Sequence, residues 1–186
     1  MKNFAILYFL TICLFSANSQ DVSYINSSIK IDGVDDEAVW LKQASLTKFT
    51  QNFPTDSLTA QNQTEVKLLF DDENLFVFAK CYHKPNEKEF VQTLKRDFPI
   101  FENDAFAVSF DPFGDGLNGF YFMVNAKGAQ TEAMIGNGTD VATVWDNRWF
   151  SAVKNLESYW TAEFQIPFKS IRYNENNKNW NFNFLR

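Results

Sequence analysis

Short stretches in which apolar and polar residues alternate constrain this sequence more than any other feature. Residues 64–70 and 75–82 alternate on either side of a polar turn, and residues 105–111 and 119–126 alternate on either side of a Gly-rich turn. Alternation with a period of two predicts strands with one buried face, and a short turn between two such strands predicts an antiparallel hairpin. The sequence therefore predicts sheets built from hairpins.

Further strands and one short helix follow from the same patterns. The chain contains 21 Phe, and a core of flat aromatic rings is typical of sandwiches and barrels. Asp35 is the predicted N-cap of a helix that runs through residues 38–41. We predict an all-β antiparallel β-sandwich or jelly roll of about nine strands with this one N-terminal helix. The remaining predicted strands are residues 28–32, 131–135, 149–155, 159–166 and 180–185.

The N-terminus has the pattern of a secretory signal peptide. Lys2 supplies a positive charge, residues 4–15 are almost continuously apolar, and the small residues Ala17 and Ser19 form a cleavage signal. We therefore predict a signal peptide over residues 1–19 and a mature domain over residues 20–186. The protein is expected to be exported to the periplasm, the cell surface or the extracellular space.

Charge and motif content exclude several classes of function. The net charge is −6, which disfavours binding to nucleic acid and to anionic membranes. The sequence has one His and lacks a nucleophile elbow, a phosphate-binding loop and a zinc-protease motif. No cofactor is certain from these patterns.

The C-terminal residues alternate like a strand in mid-course. Trp180, Phe182 and Phe184 share one face, and the sequence stops at Arg186 without a polar tail. Domain ends usually fray into polar residues. We therefore expect the chain to be the front part of a longer protein, with the domain truncated at its C-terminus.

Acidic residues at both ends of one predicted hairpin could hold calcium. Asp104 opens the strand 105–111, and Asp111 and Asp115 lie in the Gly-rich turn that follows it. Carboxylate oxygens are the ligands that Ca²⁺ prefers, although the spacing is not that of an EF-hand. Ordinary turn chemistry explains these residues equally well. A structural Ca²⁺ ion is therefore one of two open interpretations.

The segment 145–149 has the composition of a sugar-binding loop. Trp145 and Trp149 could stack on the apolar face of a pyranose, and Asn147 could pair with its hydroxyl groups. Alternatively, either indole closes one end of the sandwich core. Arg96 and Asp97 form a surface ion pair or line the rim of a cleft, and the sequence leaves both alternatives open.

An ordered series of motifs resembles carbohydrate-binding module family 9, in the variant found at the front of long exported bacterial proteins. The resemblance covers about residues 28–186. It implies an antiparallel β-sandwich that binds saccharides, that carries structural Ca²⁺ in some members, and that precedes a β-barrel region of the outer membrane. The motifs are residues 31–33, 36–38 with Trp40, 71–77, 96–97, 103–104, 111–113, 145–146, 160–163 and 166–168.

The resemblance also implies a sugar clamp that this sequence does not reproduce. In cellulose-binding members, two Trp residues sandwich the terminal sugar with help from a Glu and an Arg. The first Trp position corresponds to Phe101, the Glu position to Ala107 and the Arg position to Met123. We therefore expect a different arrangement of contacts. The expected sugar-binding residues are Arg96, Asp97, Phe101, Trp145, Asn147 and Trp149.

Four functions remain open at this stage. The leading hypothesis is a secreted, non-catalytic module that binds a polysaccharide or oligosaccharide during polysaccharide breakdown. A structural front domain of an outer-membrane protein and a glycoside hydrolase that uses Asp104, Asp146 and Glu163 are the main alternatives. The fourth hypothesis is haem binding through Met123 or Met134. Any hydrolysis of glycosidic bonds is expected from an attached domain.

Overall fold

The computed structural model describes residues 21–51, 58–84 and 87–186 of the chain. The predicted signal peptide lies outside these residues. The described part contains one α-helix, α1 (Ala38–Lys42), and two 3₁₀ turns (Ile100–Glu102 and Phe168–Ser170). The strands are β1 (Ser23–Tyr24), β2 (Thr50–Gln51), β3 (Leu58–Thr59), β4 (Thr64–Phe70), β5 (Asn74–Tyr82), β6 (Ala105–Asp111), β7 (Gly119–Asn125), β8 (Gln130–Gly136), β9 (Asp140–Ala142), β10 (Phe150–Asn155), β11 (Tyr159–Pro167) and β12 (Asn181–Leu185).

The strands form a β-sandwich, as predicted. The first sheet has the order β1-β4-β5-β11-β10, and the second sheet has the order β12-β6-β7-β8-β9. Every neighbouring pair in these sheets is antiparallel except β1 and β4, which run parallel. Strands β2 and β3 form a separate small ribbon. The two hairpins predicted from the alternating pattern, β4-β5 and β6-β7, therefore contribute central strands to both sheets.

Eight of the nine predicted strands appear, and the differences lie at the periphery. Residues 28–32 form no strand, and β1, β2, β3 and β9 were not predicted because two or three residues are too few to show a period. The predicted helix is confirmed, but its cap is not Asp35. Glu37 occupies the cap position without a side-chain hydrogen bond, while Asp35 binds Lys67 and Lys80. Among the described residues, no helix has the length and apolar character needed to cross a membrane.

Aromatic rings from both sheets fill the space between them. Phe106, Val108 and Phe110 point inward from β6, as their alternation predicts, and pack with Phe122 of β7 and Phe164 of β11. Each buried Phe contributes about 2–3 kcal/mol through apolar burial, so these rings dominate the stability of the sandwich.

Cys81 belongs to the same core. Its side chain is fully buried, and burial raises the pKa of the thiol to about 12. A thiol that does not ionise at neutral pH behaves as an apolar group, so Cys81 acts as a small hydrophobic residue of the core.

Two segments that lie outside the main strands cover the outer faces of the sheets. Residues 25–46 lie on the first sheet, where Trp40 packs against Leu69, Phe76 and Phe78. The segment before β6 covers part of the second sheet in the same way, through Phe98. The sandwich therefore has apolar contacts on both faces of each sheet.

Glu163 attaches the first of these segments to the sheet. The side chain is fully buried, and its carboxyl accepts hydrogen bonds from the backbone N–H groups of Asp32 (2.9 Å) and Gly33 (2.8 Å) and from Nε1 of Trp40 (3.1 Å). Gly33 has φ +79°, and a Cβ there would lie 3.2 Å from the backbone of Val153, so this close approach requires glycine. Burial raises the pKa of Glu163 to about 7.

We expect Glu163 to make stability depend on pH in an unusual direction. Between its ordinary pKa of 4.5 and the folded value of about 7, the folded chain holds a proton that the unfolded chain releases. The free energy of unfolding therefore falls as the pH rises through this window, by up to about 3 kcal/mol. Urea unfolding at several pH values should show this decline in the wild type and not in Glu163→Gln.

The exposed acid Glu157 supplies the control. Because it lies in a solvated turn, Glu157→Gln should keep the pH profile of the wild type. A wild-type profile that coincides with that of Glu163→Gln would show that the carboxyl is ionised throughout the window.

Candidate functional site

A buried carboxylate lies at the edge of the central core. Glu132 points inward from β8, opposite Phe122, and is fully buried. One carboxylate oxygen accepts a hydrogen bond from Nε1 of Trp149 (3.0 Å), and the other accepts hydrogen bonds from Nη2 of Arg96 and the backbone N–H of Asn147 (3.4 Å). Glu132 therefore connects the second sheet to the loop before β10 and to the segment before β6, which contains Arg96.

The hydrogen bonds continue from Glu132 towards the surface. Nη1 of Arg96 donates to Oε1 of Gln130 (2.9 Å), and Nε2 of Gln130 donates to Oγ of Ser151 (2.8 Å). Arg96 also lies 3.6 Å from the exposed carboxylate of Asp146. This network fixes the orientation of the Gln130 amide.

An open cleft of about 430 Å³ lies beside this network, and we call it the flank cleft. Phe150 and Gln165 are cross-strand partners in β10 and β11, so their side chains lie on the same face of the first sheet. Residues 25–46, which cover the first sheet, contribute one apolar wall of the cleft through Ile29 and Ile31. The lining residues are Ile29, Ile31, Gln130, Phe150, Ser151 and Gln165, together with the buried Trp149.

The cleft combines an accessible ring with a free amide. The Phe150 side chain is 40% exposed, and the guanidinium of Arg148 lies 5.2 Å from the centre of its ring. The side chain of Gln165 has no hydrogen-bond partner within the described residues. The cleft thus offers an apolar surface and unsatisfied donors and acceptors to a ligand.

The two tryptophans of the predicted sugar-binding loop contribute to the core instead. Trp149 is 5% exposed and packs edge-on against Phe122 and Phe164. Its ring faces are covered, so it cannot stack on a sugar. Trp145 is half-buried and packs against Phe120 at a ring distance of 5.2 Å. Of the two alternatives that the sequence left open for these indoles, the structure therefore shows the core alternative.

The other predicted sugar-binding residues have separate environments. Arg96 belongs to the Glu132 network. The side chain of Asn147 is engaged by the protein, since its Nδ2 donates to the carbonyl of Ser170 and its Oδ1 accepts from the backbone N–H of Arg148. Asp97 is exposed and has φ +58°, while Phe101 is 91% exposed on the 3₁₀ turn before β6.

Two of the three positions that correspond to the sugar clamp of cellulose-binding members are closed in this chain, and the third, Phe101, is exposed. Ala107 and Met123 are cross-strand partners on the outer face of the second sheet and are 0% and 2% exposed. Phe98 packs over both of them, together with Ala105. A ligand cannot reach these two side chains without displacing Phe98.

The three predicted calcium ligands do not converge. Asp104 and Asp111 lie at opposite ends of β6, about 20 Å apart along the strand. Asp104 accepts from the backbone N–H of Phe90, and Asp111 and Asp115 accept from backbone N–H groups of their own turn. Within the described ranges, no group of three metal-ligating side chains is present. The residues therefore do not fit one shared calcium ion.

The three carboxylates predicted as catalytic groups of a glycoside hydrolase, Asp104, Asp146 and Glu163, make contacts within the protein. Glu163 is sealed beneath the covering segment by three N–H donors, so it cannot reach a substrate. Asp104 holds the backbone of Phe90, and Asp146 is an exposed partner of Arg96.

Sequence reasoning named Arg96 and Trp149 but missed four other residues of this network and cleft, Gln130, Glu132, Phe150 and Gln165. Gln130 and Glu132 occupy inward positions of β8, and a charged residue at an inward strand position was the available signal for a buried network. Phe150 and Gln165 give no local signal, because only the register of β10 and β11 places them together.

Two aromatic-cored sheets packed face to face, with covering segments on their outer faces, define a β-sandwich domain. A family model described as "Carbohydrate family 9 binding domain-like" matches residues 31–186. The chain belongs to this family. No curated protein sequence matches it.

Solved structures of the same family have a similar fold. A carbohydrate binding module family 9 from Caldicellulosiruptor kristjanssonii in complex with cellotriose superimposes with a TM-score of 0.62 at 22% identity, covering 88% of this chain and 73% of that chain. The same organism's module in complex with glucose gives a TM-score of 0.62 at 21% identity, covering 88% and 74%. At these identities the likeness concerns the fold.

We expect removal of the Glu132 carboxylate to destabilise the domain strongly. Glu132→Ala leaves the Trp149 N–H without its acceptor in the interior and opens a cavity. The free energy of unfolding should fall by about 3 kcal/mol. Urea unfolding at neutral pH, followed by circular dichroism, measures this change.

Asp146→Ala is the matched control, because it removes the other carboxylate near Arg96 from an exposed position. It should leave the unfolding midpoint almost unchanged. Equal effects of the two substitutions would show that the burial of Glu132 is not what makes it important.

Proposed function

We propose that this domain is a non-catalytic carbohydrate-binding module. The observation that carries the proposal is the family match over residues 31–186, which spans nearly all of the described chain. The Caldicellulosiruptor kristjanssonii module of similar fold is bound to cellotriose in one structure and to glucose in another. The net charge of −6 is compatible with an uncharged glycan as ligand.

The proposed biological role is binding of a polysaccharide during its breakdown. A module that holds a polysaccharide raises the local concentration of substrate for any enzyme attached to it or acting beside it. The module itself then needs affinity and no catalytic group. The burial of Glu163 supports this role, because it removes one of the acids considered for hydrolysis from contact with solvent.

Titration of the purified protein with glycans tests this function. We expect soluble oligosaccharides and polysaccharides to change the Trp fluorescence saturably, because Trp149 lies at the flank cleft. Cellotriose, glucose, xylan, mannan, laminarin and pectin form the first panel. Each titration is run with Ca²⁺ and with a chelator, which also tests the predicted cation.

Protein unfolded in urea and titrated with the same panel supplies the control for nonspecific quenching. A folded protein that binds none of these glycans would contradict the proposed function. Affinity that disappears in the chelator would instead establish a calcium requirement.

We also propose that the protein is exported. The support is the pattern of residues 1–19, with a positive start, an apolar run and small residues at 17 and 19. Expression in a Gram-negative host should yield a mature protein that begins at Gln20, as measured by mass spectrometry of the periplasmic fraction. Ser19→Phe should block cleavage because signal peptidase requires a small residue before the cut. An unprocessed wild-type chain in the cytoplasm would contradict export.

A second candidate function is a structural front domain that contacts an outer-membrane barrel in a longer protein. The closed clamp positions, Ala107 and Met123 beneath Phe98, favour it because they remove the family's usual sugar contacts. Absence of glycan binding by a stably folded domain would support this candidate over the first.

A further inference from the structure

We propose that the flank cleft is the glycan-binding site of this chain, and that it takes a neutral oligosaccharide. In this assignment the Phe150 ring packs against the C–H face of a sugar, and the Gln165 amide pairs with the hydroxyl groups of the same or the next sugar. The inference rests on the proposed carbohydrate-binding function and assigns its location.

The Phe150 ring has the exposure and support that a stacking platform needs. It is 40% exposed while its neighbour Trp149 is buried, so the aromatic surface available at this edge belongs to Phe150. The Arg148 guanidinium, 5.2 Å from the ring centre, restrains the ring through a cation–π contact. A ring that is already held in place loses little conformational entropy when a ligand packs against it.

The Gln165 amide supplies hydrogen bonding next to this ring. Its cross-strand pairing with Phe150 brings the two side chains within about 5 Å at their Cβ atoms. The amide carries two donors and one acceptor, and the described residues satisfy none of them. A ring beside an amide matches a sugar, which presents C–H groups on one face and hydroxyl groups around its edge.

Two further lining residues, Gln130 and Ser151, are held by the Glu132 network. Gln130 is held between Arg96 and Ser151, so its remaining N–H and lone pair have defined directions. The hydroxyl of Ser151 accepts from Gln130 and keeps its own hydrogen to donate. These groups add polar contacts to the one that Gln165 offers.

The lining predicts an uncharged ligand. Every lining side chain is neutral, so the walls of the cleft themselves offer no ion pair to a carboxylate. The volume of about 430 Å³ lies within the range of small-ligand sites, although the cleft is open to solvent. A short segment of a neutral polysaccharide fits this description better than a uronic acid polymer.

Three substitutions test the location. Phe150→Ala removes the platform and should weaken binding about tenfold or more. Gln165→Ala removes the free amide and should weaken it about fivefold. Phe101→Ala is the matched control, because Phe101 is a more exposed ring that lies outside the cleft. Unfolding midpoints of all three confirm that each variant is folded.

The probes are cellotriose, xylotriose, mannotriose and trigalacturonate, titrated by calorimetry. A second readout follows the side-chain amide signals of Gln130 and Gln165 by NMR during the same titrations. We expect these signals to shift on addition of a neutral trisaccharide, and trigalacturonate to leave them unchanged.

The outcomes separate the site from the function. Binding that is lost in Phe150→Ala and retained in Phe101→Ala supports the flank cleft. Binding that survives Phe150→Ala, is lost in both Phe variants, or favours trigalacturonate overturns the assignment while the proposed function stands. A folded wild type that binds none of the four probes counts against the function, and the assignment fails with it.

Discussion

The Glu132 carboxylate lies in the apolar interior between the two sheets, where an unpaired charge would be strongly unfavourable. Its hydrogen bonds to Arg96, Trp149 and Asn147 offset that desolvation. These three residues come from a covering segment and from a loop, neither of which has a regular structure of its own. One buried acceptor therefore holds two segments that lie between strands, and through Trp149 and the Arg96–Gln130 contact it orients two residues that line the flank cleft.

Glu163 plays a corresponding part on the first sheet. It also accepts a hydrogen bond from an indole, that of Trp40, and adds two backbone donors from the covering segment. No cation lies among these three donors, whereas Glu132 has Arg96. With no cation among the donors to stabilise the ionised form, burial raises the pKa of Glu163. The segment that it holds carries Ile29 and Ile31 to the cleft, so a buried acid again positions part of the site.

The centre of the fold could be predicted from the sequence, and the site could not. Strands β4 to β7 follow from local alternation, because each has one face in the core. By contrast, residues 28–32 have the sequence pattern of a strand but form an irregular segment that packs on the outer face of the first sheet. Tertiary contacts decide whether such a pattern forms a strand or an irregular segment. Trp149 illustrates the same limit for the site. Its sequence neighbours suggest an exposed sugar platform, but the partner that buries it, Glu132, lies in another strand.

The outer face of the second sheet and the flank cleft differ in what they leave open to solvent. Ala107 and Met123 lie beneath Phe98 on the outer face of the second sheet and are buried. A sugar site needs hydrogen-bond partners for hydroxyl groups next to an apolar surface, and the side chains that Phe98 covers are apolar. The flank cleft keeps both, in Gln165 and Phe150. The register of β10 and β11 therefore places a ring beside an amide at one edge of the sandwich, although the two residues lie 15 positions apart in the sequence and share no motif.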